Sequence, residues 1–333
     1  MNDMIEKERF SPGVQLAILL ISFGACYFMA GLIILAVAAV YLHVPLENLE
    51  KLPKLIEDNI VLNRVLQVVG TFMMFGLPAF IFAYINNKTN PFGLLGFNRA
   101  VNSKQVFYTL IIVIAGLWVS EAFGLINEWI PIPKRNEIYF RQLEDEYTKA
   151  TVSLLSLKTI GGLLVSLFVI ALMPAILEEL LFRGCLQKVL YSLSKHTFLS
   201  IFLTSLLFSY SHASYYGFLP RFFLGMGLGY MYHYSKNIWL NILFHLVNNG
   251  IVITMMFIMV QNGKTMQYAL ENSGVTNNMP VAVVLVVGAI LTALIVFVLK
   301  LFKRESTRVL AAHAAANPQL NDDTTGTDTI NVL

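Results

Sequence analysis

Charge is scarce in this chain. Asp, Glu, Lys and Arg make up 13% of its 333 residues, about half the roughly 25% of a soluble domain. Cysteine is nearly absent: Cys26 and Cys185 are the only two, both in or beside apolar segments. That excludes a disulfide framework and a paired-cysteine zinc site. No basic, aromatic-interleaved patch suits nucleic acid. His-Glu-x-x-His is missing, and no Ser or Cys sits in a context that favours it as a nucleophile. No internal repeat is detectable, which counts weakly against a transporter.

What is there is apolar. The chain is 56% hydrophobic with a mean hydropathy of +0.66. Its repeated apolar runs predict an all-α, polytopic membrane protein with about eight transmembrane helices at roughly 20 residues per span. The first run, Val14 to Val44, exceeds a signal-peptide core and reads as a span. The expected order is a cytosolic N-terminus at 1–12, then spans one to three and a hydrophilic loop at 13–150. A catalytic core of spans four to seven comes next at 151–260, then a loop and the last span at 261–304, and a disordered cytosolic tail at 305–333. An even number of spans puts both termini on one side. The excess of Lys and Arg on that side assigns it to the cytoplasm of a multi-pass cell-membrane protein.

One stretch stands against this background: Pro174-Ala-Ile-Leu-Glu178-Glu179-Leu-Leu-Phe182-Arg183-Gly184. Even on the lower estimates a charged side chain at the bilayer centre costs roughly 2.5–3.5 kcal/mol. At about 100° per residue the two acids point to different faces. Glu179 and Arg183 are i,i+4 and predict an ion pair. Glu178 is left without a local partner, as the chemically available acid. The structural alternative is that both acids mark the membrane–water boundary. Pro174 predicts a kink just before them.

Two further polar groups lie on later apolar runs. Phe208-Ser-Tyr-Ser-His212 closes the fifth. Asn241, His245 and Asn249 form one stripe on the seventh, with Asn248 able to replace Asn249 at i,i+3. Singly, such residues are interhelical glue. With the turn between spans four and five at Lys195, Glu178 and His212 fall at equal distances from it, at one depth of an antiparallel pair. His245 matches that depth only if helix four and the start of helix five extend beyond the membrane. Together these residues suit water-mediated amide hydrolysis: Glu178 as base and acid, His212 sharing the water, His245 and Asn249 donating to the oxyanion. Glu178, His212 and His245 can alternatively bind Zn²⁺ with an open fourth position. The sequence does not choose between the two.

Other polar positions carry plainer expectations. Arg64 snorkels to the headgroups, and Glu121 can line the same cavity. Residues 45–59 form a short interfacial helix, and 131–158 is a surface segment helical at its end. Gly225 and Gly229, four apart, let a neighbouring helix come close.

The three polar stretches, in this order, resemble the motifs of the CPBP family, the CAAX proteases and bacteriocin-processing proteins also called Abi. Glu-Glu-x-x-x-Arg matches at Glu178, Glu179 and Arg183, Phe-x-x-x-His at Phe208 and His212, and His-x-x-x-Asn/Asp at His245 and Asn249. No motif position is missing, and the resemblance covers about residues 155–255. It implies an eight-helix intramembrane endopeptidase similar to the type II CAAX prenyl endopeptidase, with a conical polar cavity open to the cytosol. It implies Glu178, His212, His245 and Asn249 as catalytic, and Glu179, Arg183 and Phe208 as structural or orienting. The cofactor is none or Zn²⁺ held by Glu178, His212 and His245. The partners are the bilayer and a membrane-associated protein or peptide substrate, prenylated or bacteriocin-like. Two other readings remain: a non-catalytic scaffold or self-immunity factor of the same fold, and a proton-coupled transporter with Glu121, Glu178 and the histidines as a relay.

Overall fold

A computed structural model of the chain describes residues 9–97, 100–276 and 279–316. Among them every regular element is helical. Nine main helices carry the fold: α1 (Pro12–Tyr41), α2 (Ile60–Asn86), α3 (Ser103–Glu128), α4 (Lys134–Leu154), α5 (Ile160–Ser194), α6 (Thr197–Tyr210), α7 (Phe218–Ser235), α8 (Ile238–Gln261) and α9 (Val281–Ala316). Local chemistry sets their ends. Asn102 and Gln105 form a reciprocal capping box at the start of α3. The Thr159 side chain accepts from Gly162 N–H at the start of α5. Lys195 and Lys236 stop α5 and α7 in the left-handed region, with φ of 56° and 52°.

Among the described residues, six helices are long and apolar enough to cross a membrane: α1, α2, α3, α5, α8 and α9. The chain is thus a multi-pass membrane protein, with fewer such spans than the eight expected. The other two expected spans are α6 and α7. The 14 residues of α6 reach only about 21 Å at 1.5 Å per residue, short of a hydrocarbon core of about 30 Å. Within α7, Arg221, His233 and several tyrosines dilute the apolar run.

Three expectations change. Residues 131–158 are helical over most of their length, as α4 (Lys134–Leu154), rather than only at the end. The expected tail at 305–333 is helical as far as Ala316, where α9 continues past the apolar run; 317–333 and residues 1–8 lie outside the described residues. Arg64 turns inward instead of snorkelling. Its Nε donates to the Leu154 carbonyl at 2.9 Å and its Nη2 to Ser166 Oγ at 3.0 Å, tying α2 to the end of α4 and to α5. Residues 45–59 do form short helices, Leu46–Lys51 and Leu52–Asp58.

The helices that hold the polar residues are drawn together by small side chains and by the core. On α7, Gly225 faces Ser205 and Gly229 faces Ile201; a Cβ on Gly229 would come within 2.6 Å of the Ile201 side chain. The spacing of these two glycines therefore sets the α6–α7 approach. One buried cluster joins α1, α2, α5, α6 and the start of α8 around Phe182, Cys185 and Phe208. A second joins α3, α7, α8 and α9 around Phe244 and Phe302.

The expected kink at Pro174 takes the form of a wide turn. Leu167–Leu172 is π-helical, and so is Phe72–Gly76 in α2. Each sits just before a proline, Pro174 or Pro78. A proline ring collides with the carbonyl four residues back and offers no N–H. Widening the preceding turn relieves both. A third π-helical stretch, Leu180–Gln187, comes directly after the two glutamates.

Candidate active site

Glu178 and Glu179 close the short α-helical segment Met173–Glu179 between two of these wide turns. Both are buried, and they face different partners. Glu179 Oε1 accepts from Arg183 Nη1 at 2.7 Å, with both side chains fully buried. The expected i,i+4 pair is therefore present. It also reaches further than the sequence indicated: the same Oε1 accepts from His245 Nδ1 at 3.1 Å, and Oε2 accepts from Asn241 Nδ2 at 3.3 Å. Glu179 thus clamps two members of the α8 stripe.

Glu178 turns the other way, into a cavity of about 410 Å³. Its Oε2 lies 4.0 Å from His212 Nε2 and 4.0 Å from His245 Nε2. That atom is buried and has no hydrogen-bond partner. A separation of 4.0 Å is too long for a hydrogen bond and suits an intervening water. The two histidines come from different places. His212 lies just past the last turn of α6, and His245 sits two turns into α8. With 35 residues, α5 runs for roughly 50 Å. That exceeds a hydrocarbon core of about 30 Å.

The histidines differ in their second nitrogen. His212 Nδ1 is 2.8 Å from the Phe208 carbonyl oxygen, which only accepts. Nδ1 therefore carries the hydrogen, and Nε2 presents a lone pair toward Glu178. His245 Nδ1 donates to a carboxylate, so its Nε2 donates as well only when the ring is an imidazolium. Phe208 packs against both rings, 5.0 Å from His212 and 5.9 Å from His245 between centroids, with the Arg183 guanidinium 4.6 Å from its own centroid.

Asn249 lines the cavity one turn past His245, beside Asn248. Asn248 Nδ2 donates to Asn249 Oδ1 at 3.1 Å, which leaves the Asn249 amide nitrogen as the free donor. Glu121 does not line the cavity. Its carboxylate lies against Gly274 and accepts from Thr276 Oγ1 at 3.5 Å, pinning the segment that leads to α9. A relay from Glu121 to Glu178 has no support in this placement. Arg221, on the first turn of α7, does line the cavity, as do Gln67 of α2 and Tyr147 of α4. The rule that singles out Glu178, a charge within an apolar run, applies equally to Arg221.

The donor set does not sit as a zinc site. Among the described residues no three His, Cys, Asp or Glu side chains gather to hold a metal ion. The two 4.0 Å separations exceed the edge of about 3.3 Å that tetrahedral bonds of about 2.0–2.1 Å require.

A buried carboxylate, two histidines and an amide side chain thus surround one cavity in a helical membrane protein. Residues 160–251 match the family described as type II CAAX prenyl endopeptidase Rce1-like. The match covers less than a third of the chain and contains all seven motif residues. No curated protein and no solved structure matches the chain.

Proposed function

We propose that this protein is an intramembrane endopeptidase that hydrolyses a peptide bond in a membrane-associated substrate, by water activated between Glu178 and His212. The observation that carries this reading is the position of Glu178 Oε2, one water away from two histidine Nε2 atoms and left without any other partner. Glu178 takes a proton from that water while His212 Nε2 accepts from its other hydrogen. The hydroxide oxygen bonds to the scissile carbonyl carbon. His245 Nε2–H and the Asn249 amide donate to the oxyanion. As the C–N bond breaks, Glu178 returns the proton to the leaving nitrogen. Both termini are cytoplasmic, α6 and α7 complete an eight-helix bundle, and the substrate is prenylated or bacteriocin-like.

The test is cleavage of prenylated and unprenylated peptides by the purified protein in detergent, for wild type and Glu178→Gln, with and without a chelator. Cleavage by wild type that is lost in the variant supports the reading. Equal cleavage by both sinks it, and loss of activity on chelation assigns a metal role.

A further inference from the structure

Arg221 is the charged group of the cavity that hydrolysis leaves unused. Apart from Glu178 and the two histidines it is the only ionisable side chain in the wall besides Tyr147. Among the described residues it enters no ion pair. Its Nη1 is buried without a hydrogen-bond partner. Yet its position is built. The guanidinium lies 5.0 Å from the centre of the Tyr147 ring on α4. It also rests on Gly217, where a Cβ would come within 2.6 Å of Cζ. Gly217 has φ −89° and ψ 4°, a conformation open to any residue. Glycine is therefore needed there for room and not for backbone freedom. Tyr147 and Gly217 fix the guanidinium in place, and neither satisfies its five N–H donors.

A fixed guanidinium with unsatisfied donors in a largely apolar cavity is matched by one chemistry above others, a planar carboxylate held by two parallel hydrogen bonds. We propose that Arg221, seated on Gly217 and against Tyr147, binds a carboxylate of the substrate and so selects the peptide bond presented to Glu178. This rests on the peptidase reading. A cavity of about 410 Å³ takes a ligand of drug size. With its carboxylate on Arg221, the peptide is cut within a few residues of that group. The carboxylate is either the free C-terminus or an Asp or Glu side chain.

The test reads binding in protein that cannot cleave. The probe is a short fluorescent peptide with a farnesylated cysteine near its C-terminus, in three forms: free acid, C-terminal amide, and amide ending in Glu. Glu178→Gln protein should bind the free acid about 10- to 100-fold more tightly than the simple amide, the range for a charged hydrogen-bonded pair. Preference for the Glu-terminated amide instead assigns the same site to a side-chain carboxylate. Adding Arg221→Gln should abolish the preference while leaving affinity for the simple amide unchanged. Arg221→Lys should keep part of it. Gly217→Ala, which displaces the guanidinium without removing it, should weaken it and serves if Arg221→Gln does not fold. Glu178→Gln protein that binds acid and amide alike, or binds neither, overturns the proposal. So does a preference that survives Arg221→Gln. Because no cleavage is required, an inactive wild type would sink the peptidase reading and leave this readout standing.

Discussion

Two buried polar clusters hold this bundle together, and they are built on opposite terms. One is the seam between α3 and α9, the most extensive helix pair in the fold. There Asn102 Nδ2 donates to Glu305 Oε1 at 2.8 Å and Gln105 Nε2 donates to Ser306 Oγ at 3.0 Å. None of these atoms is left without a partner. The other cluster surrounds the cavity. Glu178 Oε2, Asn248 Oδ1 and Arg221 Nη1 are all buried there and all unpartnered. The seam satisfies its own groups, where an unmade hydrogen bond in a dry interior would cost about 1–3 kcal/mol. On the proposed function, the cavity keeps some of its groups for water and substrate.

The contrast can be broken from either side. The largest effect is expected at Glu178. Glu178→Gln should lower kcat by about 10²- to 10⁴-fold, the usual contribution of a positioned acid–base. It should leave the unfolding midpoint in detergent unchanged or higher, since a buried charge without a hydrogen bond is removed. A midpoint that drops with activity would make Glu178 glue rather than chemistry. Next comes Arg183→Ala, which strands the Glu179 carboxylate. Breaking a buried pair costs about 3–5 kcal/mol, read as a large loss of thermal stability. Gln105→Ala on the seam should cost about 1–3 kcal/mol and leave the turnover of folded protein intact. Lost turnover at unchanged stability would erase the distinction. The smallest change belongs to Asn248→Ala. It frees the Asn249 amide to rotate and should cost kcat up to about tenfold, the value of one hydrogen bond, without moving the midpoint.

Much of the cavity cluster is legible in the sequence because it obeys helical arithmetic. The Glu179–Arg183 pair is an i,i+4 contact. The depth match of Glu178 and His212 depends on a turn at Lys195, and Lys195 does adopt the left-handed conformation that ends α5. What the sequence hides is longer in range. His245 to Glu179 spans 66 positions, so no local spacing announces it. Arg221 gains its meaning from Tyr147 and Gly217, neither of which belongs to a motif. The prolines and charges at 131–149 mask the periodicity of α4, whose polar surface is anchored by Glu144 to Ser214 and by Phe140 stacked 4.5 Å from Tyr215. Arg64 looks like a snorkelling residue in any one-dimensional reading. Only the neighbouring Leu154 carbonyl and Ser166 hydroxyl turn it inward.

The wide turn Leu167–Leu172 has a consequence for descent. A π-helical turn is an α-helix that has absorbed one inserted residue, which an ordinary α-turn would pass downstream as a swing of about 100°. A cousin of this chain one residue shorter in that turn would close it as α-helix and keep its first glutamate, relative to everything upstream, where Glu178 stands here. Which of two adjacent acids faces the cavity is thus buffered against a change of one residue by a segment that touches neither of them.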